Sequence, residues 1–595
     1  MSYSNKYIIN TEENVAVIQK IISEILKLKD SSYKSIAKVI HKNPSVKGKI
    51  LSKSSILIAY RKLKKEGFIK LNNSDEKKLL KLIRMKKIRT ISGVTPVTVL
   101  TKPFPCPGKC IFCPNDIRMP KSYLASEPGA QRAESNAFDP YYQTFNRLIA
   151  VRNIGHPTSK VELIILGGTW SHYPEDYQIW FVKRCFDALN DFGKSRRTKM
   201  LKQKGKIITD EKLLESIKGA AMKKTYNQVI AKELLKKVNV LNKEECTWKE
   251  LFSAQKYNEH AKTRCVGLVI ETRPDEITKE EVIRIRRLGG TKVQIGIQSL
   301  NDAVLHMNKR GHDSNTARKA LDLLRQAGFK IHAHWMPNLL GSTPKLDEKD
   351  FLLLFEDKSI KPDELKVYPC SLIESADLMS FYKNGTWKPY TEKELAKVIA
   401  HVFKNIPRYC RITRVIRDIP GTDIVVGNKK TNFRQIVEND LIKEDIRSKD
   451  IRAREIRSKI VRKKDLMLKK TNYDTNVSNE IFLEYITADD KIAAFLRLSL
   501  PTKENFIEEL KGSALIREVH VYGESIDFGT KTEGIAQHIG LGKNLLALAE
   551  SDSRAAGYAK ISVISSVGTR EYYEKNGYSK YIHNQKSSLY QHKEL

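Results

Sequence analysis

No apolar run in this chain approaches the ~18 residues that a membrane-spanning helix requires. The first ten residues, MSYSNKYIIN, lack the apolar core of a secretory leader. Cysteine is scarce: eight residues at irregular spacing among 595 exclude the disulfide framework of a small secreted domain. These absences predict a reducing, cytoplasmic setting and no membrane partner. Acidic residues are also in short supply, with 69 Asp and Glu against 106 Lys and Arg, a net charge of +37. The excess is concentrated in two blocks. Residues 1–90 hold 22 basic against 7 acidic residues, and residues 404–470 hold 20 against 9. A lysine-rich solvated surface accounts for any single cation, but the summed charge over two broad blocks predicts a polyanionic partner. A hydrophobic content of 41% over this length supplies cores for three or four domains.

Three of the few cysteines are clustered. The stretch TKPFPCPGKCIFCP sets Cys106, Cys110 and Cys113 four and then three residues apart in a Pro/Gly loop. Structural zinc normally takes four ligands and a disulfide takes two, so three thiolates fit neither. They suit an iron-sulfur cube with one iron left open, where S-adenosylmethionine (SAM) can bind. Free thiols in a loop are the plain alternative.

Taken in order, residues 1–85 read as a basic helical unit: apolar residues recur at helical spacing from Glu12 to Lys29, and YRKLKKEGFI ends a basic helix at Gly67. This unit is either a nucleic-acid-binding domain or a helical cap. Residues 86–395 alternate strand and helix, with strands expected from Val97, Val161, Cys265, Lys292, Lys330 and Glu364. Six such units predict a partial (β/α) barrel whose ligands sit at the carboxyl ends of its strands. Residues 193–262 read as an inserted lysine-rich stretch. At the expected mouth stand the cysteine loop, Gly167, Gly168 and Thr169 after the second strand, Glu271, Arg273 and Asp275 after the third, and Gln298 with Ser299 after the fourth. His332 and His334 alternate on the fifth strand, and with Cys370 and Cys410 they make a candidate zinc site, weighed evenly against four separate buried residues. Residues 396–470 read as a basic linker. In it, Arg408, Arg411, Arg414 and Arg417, then Arg447, Arg452, Arg454 and Arg457, form either a phosphate-facing stripe or salt bridges.

Residues 471–595 form a further domain. A hairpin around Asp489 and Asp490, the strand ALIREVHVYG and the loop QHIGLG (Gln537 to Gly542) precede a helix, then a strand and TREYYEKNGY. A glycine loop opening a helix presents free amides and a positive dipole to a pyrophosphate. This order resembles the acetyl-coenzyme A cradle of GNAT-type acetyltransferases.

From about residue 85 onward, the motifs CPGKCIFCP, GGTWSHYP, IETRPD, QIGIQS, NKRGH, HAHWMP, IRDIP, REVHVYG and QHIGLG together resemble the catalytic subunit of Elongator in its single-chain bacterial and archaeal form. That family joins a radical SAM barrel to a GNAT domain, and the resemblance implies carboxymethylation of carbon 5 of the tRNA wobble uridine. It implies that Cys106, Cys110 and Cys113 hold a 4Fe-4S cluster beside SAM, with reduction by an electron donor. It implies that Lys160 contacts acetyl-CoA near the radical site and that Glu518, Val519, His520, Val521, Leu541, Gly542, Lys543 and Tyr573 contact it in the GNAT domain. Gly540 and Gln537 belong to the same cradle, and Tyr572, Tyr573 and Lys160 are expected at the reacting group. Lys309, Arg310 and His312 are candidates for touching the anticodon base, which must leave its stack to react. Two other readings compete: a protein lysine acetyltransferase with Glu518 as base and the barrel as scaffold, and a non-catalytic tRNA-binding module.

Overall fold

Isoleucines three and four residues apart put Ile18, Ile21, Ile22 and Ile25 on one buried face of the first helix, α1 (Val15–Lys27). Three more helices follow: α2 (Tyr33–Lys42), α3 (Lys53–Lys65) and α4 (Asn73–Ile83). Ser32, Ser52 and Asn72 cap them, each side chain accepting from a backbone amide three residues on. In this computed structural model the described residues are 10–595 except 31, 87–89, 196, 198, 202–225, 231–243, 458–460, 524–539 and 583–585. The four helices enclose a core of their own, apart from the main one. Gly67, at φ +83°, ends α3 where the sequence predicts, with Phe68 N donating to Leu63 O at 2.9 Å.

Among the described residues the barrel contains seven strands in sequence order, all parallel: β1 (Thr95–Leu100), β2 (Lys160–Leu166), β3 (Arg264–Thr272), β4 (Lys292–Gln298), β5 (Lys330–Trp335), β6 (Glu364–Val367) and β7 (Arg411–Val415). The six expected strands are present within a few residues of their expected starts, and the seventh comes from the block read as a linker. RITRV resembles a helical arginine stripe, yet as a strand it buries Ile412 in the core and sends Arg411 and Thr413 to the opposite face. The barrel therefore runs past residue 395. Helix Phe433–Lys443 also belongs to it, since Arg434 donates to Ile412 O and pairs with Asp450. The inserted stretch likewise ends earlier than expected: Trp248–Asn258 is a helix started by a Thr247/Glu250 capping box, and Ala254 O accepts from Asn190 of the preceding barrel helix.

Most arginines of the basic block are not free to meet phosphate. Arg408 pairs with Glu484 (2.8 Å) and Asp490 (2.6 Å), Arg411 with Glu455 (2.6 Å), Arg417 with Glu127 (3.1 Å) and Arg454 with Glu484 (2.7 Å). Arg452 donates to Thr413 O, and Arg414 pairs with Asp418. Arg447 and Arg457 remain exposed. The salt-bridge alternative describes this block.

The C-terminal sheet has the order β8 (Met467–Asp474), β9 (Ser478–Ile486), β10 (Ile492–Pro501), β11 (Ser513–Val521), β12 (Lys560–Val563), β14 (Lys586–Glu594), β13 (Ser579–Ile582). β9 and β10 form the expected hairpin, with Asp490 at φ +57° in its turn. β11 and β12 are parallel, but their pairing covers only Ser513 to Ile516, so residues 517–521 separate from β12 and leave a cleft. A register shift between β10 and β11 frees Arg517 from the regular ladder.

This sheet closes the amino-terminal end of the barrel. Arg517, 0% exposed, reaches Asp363 just before β6 through two 2.7 Å contacts and Glu480 at 2.8 Å. Arg497 joins Asp363 and Glu518, while Lys330 at the start of β5 joins Glu518 and Glu364. Burial alone would raise the Asp363 carboxyl, but Arg517 and Arg497 hold it well below the ordinary carboxylate range. Around this lattice, Tyr590 Oη donates to Ala327 O, Ser566 Oγ donates to Cys265 O and Arg264 pairs with Glu571.

Removing one member of a buried ionic network costs roughly 3–5 kcal/mol. Arg517→Met is expected to destabilise the chain on that scale and to split a shared unfolding transition into two, as read by calorimetry. A single unshifted transition would show that the lattice does not couple the two units.

Candidate functional site

The loop after β1 carries the three cysteines to the carboxyl end of the barrel. Cys106 and Cys110 are buried and Cys113 half-buried, and all three line one cavity of about 190 Å³. Asn227, from the described part of the inserted stretch, clasps the loop: it accepts from Cys106 N at 3.0 Å and donates to Cys106 O at 2.7 Å. Arg310 Nη1 lies 3.2 Å and Arg273 Nη1 3.7 Å from Cys110 Sγ. The hydrogen bond from Cys113 and these two guanidiniums hold the Cys110 thiol well below its usual range against burial, whereas the same bond and burial push Cys113 up.

Two glycines make room here. A Cβ on Gly108 would fall 2.2 Å from Arg273 Nη1, and one on Gly167, at φ +152°, would fall 1.8 Å from Thr101 Oγ1. Three thiols on one cavity, two cations against them and a loop pared to glycine suit an iron-sulfur cluster with three protein ligands.

The structure brings the other expected mouth residues to the same cavity: Gly167, Gly168, Thr169, Glu271, Arg273 and Gln298. Glu271 accepts from Tyr123 Oη at 3.0 Å, and Thr169 Oγ1 is 3.6 Å from Cys106 Sγ. Ser299 instead bonds to Asp350, and Asp275 pairs with Arg273. Of the three base-contact candidates, Arg310 is 5% exposed and directed at sulfur, His312 is half-buried, and Lys309 alone is exposed.

Lys160 is not near the radical mouth. It opens β2, and six steps of ~3.3 Å to Leu166 place it about 20 Å below the end of that strand, on the side of the C-terminal sheet.

The zinc quartet does not assemble. Among the described residues no three His, Cys, Asp or Glu side chains form a ready-made metal site, the cysteine loop included, whose sulfurs face a common cavity without closing on a point. For the quartet the reason is depth and partner. His334 and Cys370 line the upper cavity, while His332 faces the lower one and bonds to Thr413 at 2.8 Å. His334 bonds to Gln294 at 3.1 Å, and Cys410 is buried in the main apolar core. Burial pushes both imidazoles well down and both thiols up.

A second cavity of about 570 Å³ fills the barrel from below. Its walls combine Glu162, Lys292, Lys330 and His332 of the barrel with Glu518, Val519 and His520 of the C-terminal sheet and Tyr573 of the short helix Arg570–Glu574. Leu166, Lys366 and Arg414 line both cavities, so these three side chains stand between the two inside the barrel. Helix Leu541–Ala555 begins beside the β11 cleft, with Gly540 at φ +76° before it. A Cβ on Gly542 would lie 2.6 Å from Tyr572 Oη and 3.7 Å from Val521, so glycine keeps this helix start open. Lys543 is exposed on the first turn, and Gln537 lies outside the described residues. Glu518 is not a poised base: burial would raise its carboxyl, but Lys330 at 2.5 Å and Arg497 at 2.9 Å hold it below its ordinary value.

Sequence reasoning missed Lys366 and Tyr368, which line the upper cavity. The signal was present: in ELKVYP, residues 364, 366 and 368 are polar at period two, an unusual pattern for a buried barrel strand.

Gly108→Ala is expected to lower iron and sulfide per chain several-fold after anaerobic reconstitution while circular dichroism is unchanged. Full loading would show that Arg273 gives way and that the glycine is not required.

The chain matches two family models: the radical SAM superfamily over residues 228–350 and the radical SAM C-terminal domain over 362–443. It is 35% identical to the tRNA uridine(34) acetyltransferase of Methanocaldococcus infernus over 86% of this chain and 89% of that protein. It is 38% identical to the protein of the same name from Dehalococcoides mccartyi (83% and 97%) and 31% identical to human Elongator complex protein 3 (84% and 85%). A solved structure of an N-terminally truncated Elp3 from Methanocaldococcus infernus superposes with a TM-score of 0.65 at 33% identity, covering 85% of this chain and 100% of that one. With the half-barrel, the three-cysteine mouth and matches of this extent, the chain belongs to the radical SAM family of tRNA uridine(34) acetyltransferases and Elongator complex protein 3.

Proposed function

We propose that this protein modifies the wobble uridine of tRNA, joining the methyl carbon of an acetyl group from acetyl-CoA to carbon 5 of the base, with 5-carboxymethyluridine as the product. The observation that carries this reading is that the three-cysteine cavity and the cavity walled by the C-terminal sheet lie back to back in one barrel, with Leu166, Lys366 and Arg414 lining both. Cys106, Cys110 and Cys113 would hold a 4Fe-4S cluster. With SAM bound, that group supplies a carbon-centred radical strong enough to act on unreactive C–H positions.

The chain's own residues divide the remaining tasks. Thr169, Glu271 and Gln298 present polar groups beside the sulfurs, suited to the amino and carboxylate ends of SAM. The C-terminal sheet, with its β11/β12 cleft and glycine helix start, is a GNAT-type cradle in which the helix amides would receive a pyrophosphate. Val519 and Tyr573 line the lower cavity, and Val521 and Tyr572 flank the glycine helix start beside it. Lys160, on the same side of the barrel, fits a contact to the acyl carrier rather than to the radical. The barrel wall and the sheet beneath it exclude water from the reacting groups. The polyanion falls to the basic helical unit and the exposed cations around the mouth, since most of the 408–454 arginines are paired within the protein.

Incubating anaerobically reconstituted protein with SAM, a reductant, acetyl-CoA and tRNA, followed by nucleoside mass spectrometry, tests the reading. Carboxymethyluridine is expected with the wild type and is expected to vanish with Cys110→Ala. Acetylated peptide lysine without any uridine product would favour the protein acetyltransferase reading instead.

The shared wall gives a sharper prediction. Leu166→Phe puts a larger side chain between the two cavities, and is expected to leave cluster content and SAM cleavage near wild type while lowering uridine product at least tenfold. Unaltered product would mean that the acyl group reaches the mouth by another route.

A further inference from the structure

Arg310 lies in the NKRGH stretch, where its neighbours turn it inward. Lys309 at φ +51° and Gly311 at φ +80° reverse the chain on either side of it. Its guanidinium is fixed on two sides: Nη2 donates to Gly296 O at 2.6 Å, and Nη1 stands 3.2 Å from Cys110 Sγ. Gly296 permits this approach, because a Cβ there would lie 3.0 Å from Nη2. Arg273 secures the arrangement. It donates to Arg310 O at 2.7 Å, is itself anchored on Asp275 at 2.7 Å, and brings a second cation to 3.7 Å from the same sulfur. Cys106 Sγ contacts the neutral Thr169 hydroxyl at 3.6 Å and feels the charge of Arg273 from farther off. Lys121 and Arg417 act on Cys113, but the two guanidinium contacts at 3.2 and 3.7 Å both fall on Cys110, in a site where Arg310 and Cys110 are 5% and 6% exposed.

We infer that Arg310, braced by Gly296 and Arg273, is a positioning residue for the cluster, and that its charge on Cys110 raises the cluster's reduction potential. The inference rests on the reading that Cys106, Cys110 and Cys113 hold a 4Fe-4S cluster. The step concerned is the transfer of one electron to the cluster from an external one-electron donor. No bond to Arg310 forms or breaks, and its protons stay on the guanidinium, which does not titrate in proteins. An added electron makes a buried cluster more negative, and a fixed cation ~3 Å from one of its sulfurs stabilises that state more than the oxidised one. Hydrogen bonds to cluster sulfurs and nearby charge are known levers on such potentials.

The test compares the full-length wild type with Arg310→Lys and Arg310→Gln after anaerobic reconstitution. Iron and sulfide content, the electron paramagnetic resonance spectrum of the reduced cluster and its midpoint potential are measured without tRNA or acetyl-CoA. Arg310→Gln is expected to load iron and to show a more negative midpoint, with Arg310→Lys between it and the wild type. If Arg310→Gln fails to load, Arg310→Met, which also removes the charge, decides: a more negative midpoint supports the inference and an unchanged one overturns it. Loaded variants with the wild-type midpoint and spectrum would return Arg310 to a purely structural role. A wild-type chain that takes up no iron and sulfide would overturn the cluster reading itself, an outcome distinct from unchanged variants.

Discussion

Everything at the two ends of the barrel depends on the buried lattice of charge beneath it. Asp363, Arg517, Glu480, Arg497, Glu518, Lys330 and Glu364 share partners in a region that is almost closed to solvent. Buried ion pairs seldom add much net stability over apolar packing, because desolvation offsets their attraction. They do fix geometry: a bidentate Arg517–Asp363 pair tolerates little rotation or slippage, so the C-terminal sheet is held in one register against the barrel floor. The lower cavity takes its walls from both units, and it has one shape because this joint has one shape.

The same lattice sets the character of the barrel interior. Most small (β/α) barrels fill their centres with branched apolar side chains. Here the inward positions of β2, β4, β5 and β6 carry Glu162, Lys292, Lys330, His332, Glu364 and Lys366, and the space between them stays open. Lys292 is bound between Glu162 at 2.7 Å and Glu364 at 3.1 Å, and these carboxylates raise its affinity for a proton despite full burial. A charged lumen cannot collapse as an apolar one does, since each ion must keep its partner. That resistance keeps the lower cavity open.

The features legible in the sequence were those whose meaning is local. The three-cysteine loop, the glycines after β2 and the polar strand ends were found because their spacing alone restricts the chemistry, and the structure gathers them around one cavity. The glycine helix start was legible for the same reason, because Gly540 and Gly542 act within one turn. The illegible features depend on distant partners. Arg408 reads as a surface cation until Glu484 and Asp490 arrive 76 and 82 residues later. Lys330 meets Glu518 across 188 residues, and Arg517 meets Asp363 across 154. The seventh strand was missed because arginines at intervals of three imitate a helix stripe, and its buried residues, Ile412 and Val415, are three apart as well, so its pairing with β6 is what shows it to be a strand. The zinc quartet failed for a related reason: alternation on β5 put His332 and His334 on one face as expected, but it could not tell that they stand in different cavities.

The separation of β11 from β12 has a consequence for traffic. The cleft opens on the flank of the C-terminal sheet, at the opposite end of the barrel from the cysteine mouth. A molecule bound in the cleft and one bound at the mouth would enter through separate doors, so neither has to depart before the other arrives. On the proposed reading, a bulky nucleic acid could remain seated through several exchanges of its small acyl donor. Steady-state kinetics would then show independent saturation by the two substrates, without the mutual obstruction of a single shared entrance.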